Sequence, residues 1–248
     1  MDIEQTVEQW TAQLTAAGTQ ARAEGEKRYL KSDLTFLGVT VPGVRALGKA
    51  FARAHADLER TDLLGLVSAT WGTEIHELRS LSIAVMAHFP ALMRATDMAR
   101  LETMLGAAGT WAHVDWLATT TVADLVERFV SARRRLDRWA TDDNFWIRRS
   151  AMLALLPPLR RGAGDFDGFA AIALPMLGDK EFFIRKAIGW VLREVSKKRP
   201  ELVIAFLDAH AAEMSGLSVR EATKRLSAAE RKRLLAVQPA RPKLGSDR

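Results

Sequence analysis

The chain has 248 residues, of which 48% are hydrophobic and 27% charged, enough apolar material for a sizeable core and too much for a disordered chain. No run of 18 apolar residues occurs, which excludes a membrane-spanning helix, and the absence of cysteine excludes disulfides, thiolate nucleophiles and cysteine-type zinc sites. The net charge of +6 divides unevenly: residues 1–130 carry 12 Lys and Arg against 16 Asp and Glu, whereas residues 131–248 carry 24 against 14.

A basic C-terminal half of this kind is the footprint of a nucleic-acid binder, since phosphate contacts come from clustered Lys and Arg. The plainer alternative is a basic surface that keeps the chain in solution. The opening MDIEQTVEQW places acids where an export leader needs basic and apolar residues, so a cytoplasmic, nucleoid-associated location is expected. Leu63, Leu64 and Val67, then Ile75, Leu78, Leu81, Ile83 and Val85, recur at helical spacing, and β-branched alternation is almost missing. Pro42 after Leu37-Gly38-Val39 reads as a helix start. Pro157-Pro158, Gly162-Ala163-Gly164 and Pro200 punctuate later helices, and Gln238 to Arg248 reads as a frayed tail. The five histidines, His55, His76, His88, His113 and His210, show no ligand spacing, so neither a metal nor another cofactor is expected.

Phe145-Trp146-Ile147-Arg148-Arg149-Ser150-Ala151 returns 37 residues later as Phe182-Phe183-Ile184-Arg185-Lys186-Ala187-Ile188. Arg79-Ser80 reads as the counterpart of Arg149-Ser150, and Trp111 to Ala118 lies about one period before residue 147. Such a period with paired helices predicts an all-α chain, an α-solenoid of about six HEAT-like repeats curved around a basic concave groove. We expect one repeat domain over residues 1–237. In that register Trp111, Asp115, Arg148, Arg149, Arg185, Lys186 and Trp190 fall on equivalent helices.

The segments Arg28-Tyr29-Leu30-Lys31, Phe36 to Val39 with Pro42, Trp111 to Asp115, Asp143 to Arg149 and above all Lys180 to Glu194 resemble the AlkD-type DNA glycosylases of the HEAT-like alkylation-repair family. The likeness spans about residues 10 to 226. It implies excision of N3- and N7-alkylated purines from duplex DNA without rotating the lesion into a pocket. By resemblance Trp111 and Trp190 match the two groove tryptophans, Asp115 the catalytic carboxylate and Arg149 the lesion-site arginine, while Tyr29 and Arg193 match DNA-backbone contacts. Thr40, Thr110, Ala112 and His113 depart from the family's pattern.

The chemistry agrees with that reading. Trp111 and Asp115 are four apart, so one helix face carries an indole beside a carboxylate. Breaking an N-glycosidic bond builds positive charge on the sugar, which a carboxylate stabilises. A cationic purine leaves as a neutral base, so the second carboxylic acid of ordinary glycoside hydrolysis is not needed. No lysine stands beside Asp115 to form a Schiff base, which points to a monofunctional enzyme.

Each candidate has a plainer reading. Trp190, between Ile188 and Val191, fits a core pattern, and Trp10, Trp71, Trp116, Trp139 and Trp146 are assigned to packing. Arg148 and Arg149 are 100° apart on a helix, so one of them is free to serve as a salt bridge or loop anchor. Lys197-Lys198-Arg199 suits either a helix C-terminus or a phosphate. Ser218 to Glu221 reads as a capping box, with Arg220 and Lys224 as further phosphate candidates. His113 reads as a spacer or DNA contact. The alternatives to a monomeric glycosylase are a non-catalytic repeat protein that binds distorted or branched DNA, and a protein-interaction scaffold.

Overall fold

The computed structural model describes residues 1–237, and the tail Gln238–Arg248 lies outside them. Among the described residues there are sixteen α-helices and no strand, only an isolated bridge between Thr35 and Ile75. The contacts gather in two compact units, Met1–Arg135 and a second from Leu136 onward. The first contains α1 (Ile3–Ala17), α2 (Gln20–Leu30), α3 (Val41–Ala54), α4 (Arg60–Trp71), α5 (His76–His88), α6 (Met98–Gly106), α7 (Trp111–Leu117) and α8 (Ala123–Arg128). Helix α9 (Val130–Trp139) carries the chain into the second. There follow α10 (Phe145–Leu153), α11 (Leu156–Arg160), α12 (Phe166–Ala173), α13 (Phe182–Ser196), α14 (Pro200–His210), α15 (Gly216–Ala222) and α16 (Ala228–Ala236). Among the described residues no helix is long and apolar enough to cross a membrane.

The repeat is visible in the helix starts. Helices α3, α5, α7, α10, α13 and α15 begin at residues 41, 76, 111, 145, 182 and 216, steps of 34 to 37 residues. That gives the six repeats the sequence predicts. Short polar or acidic side chains start most of them: Thr40, Thr110, Asn144, Glu181 and Ser215 each accept a first-turn backbone N–H, a cap worth about 1 kcal/mol. The third residue of five of these helices, Leu78, His113, Ile147, Ile184 or Ser218, is buried.

The fourth residue marks a subset. Arg79, Arg148 and Arg185 each donate to a carbonyl six residues upstream, on Thr73, Asp142 and Asp179, at 2.8, 2.7 and 2.7 Å. These arginines tie the preceding loop to the helix. Arg79 is therefore the counterpart of Arg148, and the sequence register that paired it with Arg149 is one residue out.

Inside the first unit α3 packs on α5, and α5 packs on α4 and α7; inside the second α13 packs on α10, α11, α14 and α15. Leu63, Leu81, Ile83, Leu101 and Val114 fill the first core, and Ile184, Ile188, Leu192, Val203 and Val219 the second. The start of α3 is fixed by Glu77, 1% exposed, whose carboxylate accepts the N–H groups of Leu37, Gly38 and Val39 at 2.9, 2.7 and 3.2 Å. Gly189 permits α13 to meet α15: a Cβ there would lie 2.6 Å from Glu221 Cβ and 2.8 Å from the Ser218 carbonyl oxygen.

Candidate nucleic-acid interface

In the first unit the candidate residues lie on α7 and at the end of α2. Gly109, at φ +66, turns the chain, and Thr110 Oγ1 accepts the Ala112 N–H at 3.3 Å to start α7. Trp111 and Asp115 are both partly exposed on that helix. Tyr29, 71% exposed, meets the Trp111 ring edge-on at 5.8 Å between centroids. Three residues after Asp115 the helix widens into a π-helical turn, Ala118–Val122, where Thr119 and Thr120 hydroxyls donate to the carbonyls of Asp115 and Trp116 at 2.6 Å. Such turns recur at functional sites, and nothing in the apolar spacing signals this one.

His113 is not a DNA contact. It is fully buried, with Nε2 3.0 Å from the His76 carbonyl and 3.2 Å from Ser80 Oγ, and it stacks on His76 at 4.4 Å. Burial holds both imidazoles neutral, lowering His76 to about 4 and His113 to about 3. Thr40 and Thr110, two of the departures from the family pattern, serve as helix caps.

In the second unit the site is built on α13. Lys186, Trp190, Arg193 and Lys197 fall four, three and four residues apart, a single stripe that runs along that helix to its C-cap, Lys197. Trp190 is only partly buried, so the core pattern around it is overridden by its place on the stripe. The Arg149 and Arg160 guanidinium carbons both lie 5.9 Å from its ring centroid, within cation–π range.

Two buried acids organise the cations. Glu221, 2% exposed, accepts from Lys186 Nζ at 2.7 Å, Lys224 Nζ at 2.8 Å and Arg193. Glu194, 6% exposed, takes Arg160 at 3.0 Å and Lys197 at 2.7 Å. Burial acts to raise the Glu194 carboxyl, but Lys197, Arg160 and Arg193 outweigh it and hold it below the usual carboxylate range. Burial, then Lys224, Arg193 and Arg149, push the Lys186 ammonium below its ordinary value. Lys186, Arg193, Lys224, Arg160 and Lys197 thus share two carboxylates, an excess of positive charge suited to a phosphate.

Three expected DNA contacts belong elsewhere. Arg148 donates to the Asp142 and Asp143 carbonyls and pairs with Asp179 at 3.0 Å, and Arg185 donates to the Asp179 carbonyl, so both are loop anchors. Arg149 is 3% exposed and donates to the Phe183 carbonyl at 2.6 Å, so its charge acts from beneath the surface. In the Lys197-Lys198-Arg199 run, Arg199 instead holds the Ala163 and Gly164 carbonyls at 2.6 and 3.3 Å. The Ser218–Glu221 capping box does not form: α15 begins three residues earlier under Ser215, and Ser218 is buried, donating to the Arg185 carbonyl at 2.9 Å. Arg220 and Lys224 are exposed. Sequence reasoning missed Arg160, which no repeat register marks because it ends the short helix α11.

A cavity of about 920 Å³ in the first unit lies away from these residues, between α1 and the C-terminal half of α3. Asp2, Asp57, Glu59 and Asp62 line it, the wrong sign of charge for a phosphate backbone.

The chain belongs to the DNA alkylation repair enzyme family, whose model matches residues 10–226. Its fold is similar to that of a predicted DNA alkylation repair enzyme from Enterococcus faecalis, with TM-score 0.76 and 22% identity over 85% of this chain and 97% of that one. It is also similar to AlkD2 from Streptococcus mutans, with TM-score 0.66 and 14% identity over 92% and 100% of the two chains. No curated relative matches it.

Proposed function

We propose that this protein is a monofunctional glycosylase that hydrolyses the N-glycosidic bond of N3- and N7-alkylated purines in duplex DNA. The observation that carries the reading is the pairing on α7 of the Trp111 indole and the Asp115 carboxylate, with Tyr29 against the indole. The Lys186, Arg193, Lys197 and Lys224 cluster, with Arg220 nearby in sequence, holds the phosphodiester backbone. Trp190 offers an indole face to DNA, with Arg149 beneath it. As the bond from C1′ to the purine nitrogen breaks, its electron pair neutralises the cationic base, which leaves without needing a proton. The positive charge passes to the sugar, where Asp115 stabilises it, and water adds to C1′ and loses its proton to Asp115 or to solvent. The lesion is processed without base flipping, by a monomer acting in the cytoplasm at the nucleoid.

The test is release of 7-methylguanine and 3-methyladenine from methylated duplex DNA, with abasic sites counted in parallel. Equal numbers of free bases and abasic sites, and no strand cleavage, are expected. Salt-dependent binding to branched DNA with no base released would instead mean a non-catalytic DNA binder, and affinity for a protein without DNA binding would mean a scaffold.

A further inference from the structure

The fifth residue of the six repeat helices is Arg45, Ser80, Asp115, Arg149, Lys186 or Arg220 in turn; Ser80 and Arg149 are buried, and the candidate catalytic Asp115 shares the position with the phosphate candidates Lys186 and Arg220. Helix α3 continues that register with Lys49 as its ninth residue and Arg53 as its thirteenth, where α13 has Trp190 and Glu194. All three α3 cations are exposed, and α3 contains no acidic residue. Among the described residues none of Arg45, Lys49, Arg53 or His88 forms an ion pair, although the first 130 residues hold more acids than bases. Arg45 lies over the Trp116 ring at 5.0 Å. Lys49 and Arg53 line an open cleft of about 370 Å³ with His88 and Phe89, from the end of α5. A cation in the last helical turn suits the helix dipole, which accounts for Arg53 alone. It does not account for Lys49 and His88 converging on the same cleft.

We propose that the Arg45, Lys49 and Arg53 stripe, ending at the His88 cleft, is a second phosphodiester-binding track, which carries duplex DNA along the otherwise acidic first unit. It rests on the DNA-directed reading above and adds a contact distinct from the cluster around Glu221. A strip of exposed cations without acidic partners, at helical spacing, matches a run of phosphates better than a single anion.

The experiment is the salt dependence of duplex binding by the full chain. Three double variants are compared with wild type at a temperature at which each is shown to be folded: Lys49→Gln with Arg53→Gln, Lys186→Gln with Lys224→Gln, and Arg231→Gln with Lys232→Gln as an exposed, charge-matched control. The α3 variant is expected to weaken binding roughly tenfold and to flatten the plot of log K against log salt by about 2, near 0.9 for each phosphate no longer neutralised. An α3 variant no different from wild type, or no different from the charge-matched control, overturns the track. If in addition the Lys186 and Lys224 variant leaves the slope unchanged, or wild type shows no salt-dependent binding, the DNA-directed reading itself fails. An α3 variant that binds DNA normally but loses affinity for an acidic protein points to a different partner and also overturns it.

Discussion

Tyr29 stands edge-on to Trp111 at 5.8 Å and 82°, and it leaves 71% of its surface in solvent. It is the only tyrosine in the chain. Aromatic pairs of this geometry are worth roughly 0.5–1.5 kcal/mol, so Tyr29 fixes the indole beside Asp115. Tyr29→Ala is expected to lower kcat/KM for base release by roughly 2–12-fold, whereas Tyr29→Phe keeps the ring and stays near wild type. Equal losses in both variants would assign the effect to the hydroxyl instead.

Glu221 holds Lys186, Lys224 and Arg193 from a nearly dry position. Its three partners keep between 25% and 46% side-chain exposure and can rehydrate, which reduces the cost of breaking the cluster. Glu221→Gln is therefore expected to destabilise by roughly 1–3 kcal/mol, less than a fully buried pair would lose. Urea unfolding measures it; an unchanged midpoint would show that the carboxylate does not organise the cations.

Gly189→Ala tests the contact between α13 and α15. The added methyl would press on Glu221 Cβ at 2.6 Å and on the Ser218 carbonyl at 2.8 Å, distances at which backbone must move. We expect a loss of roughly 1–3 kcal/mol, the range for overpacking, together with weaker DNA binding, since Trp190 is the next residue. A melting temperature within about a degree of wild type would contradict the contact.

The stacked pair His76 and His113 sets an acid limit. Both are held neutral by burial, at about 4 and about 3 in the folded chain, against roughly 6.5 when unfolded. The unfolded chain binds more protons in the window between, so their stabilisation is complete above about pH 6.5 and is lost as pH falls toward 4 and then 3. Each contributes a slope of up to roughly 1.4 kcal/mol per pH unit. Denaturant titrations from pH 7 to 4 should show His113→Asn to be less stable than wild type but with a shallower dependence on pH; an unchanged slope would mean that His113 is already charged in the fold.

The repeat and the helix starts at Pro42 and Pro200 are legible in the sequence because proline acts locally, whereas the caps Thr40 and Thr110 read only as departures from the family's pattern. The Phe145 and Phe182 segments reveal the period, and aligning Trp111 with both would have placed His113 beside Ile147 and Ile184, in the core. What misled was local mimicry. Ser218 and Glu221 have capping-box spacing, yet Gly216 opens the helix and both residues are drawn into tertiary contacts. Arg148, Arg149 and Arg185 look alike along the chain; only the loop carbonyls within their reach separate anchors from a buried charge. The π-helical turn after Asp115 and the approach of Arg160 to Trp190 depend on packing between helices, which periodicity does not record.

In the proposed reaction Asp115 supplies the charge that stabilises the sugar as the base departs. Single-turnover release of 7-methylguanine from methylated duplex DNA, at saturating protein, compares wild type with Asp115→Asn, which preserves shape and removes the charge. A fall of roughly 10²-fold or more is expected, the scale of one electrostatic catalytic group, with DNA affinity retained. Release by Asp115→Asn at the wild-type rate would contradict it.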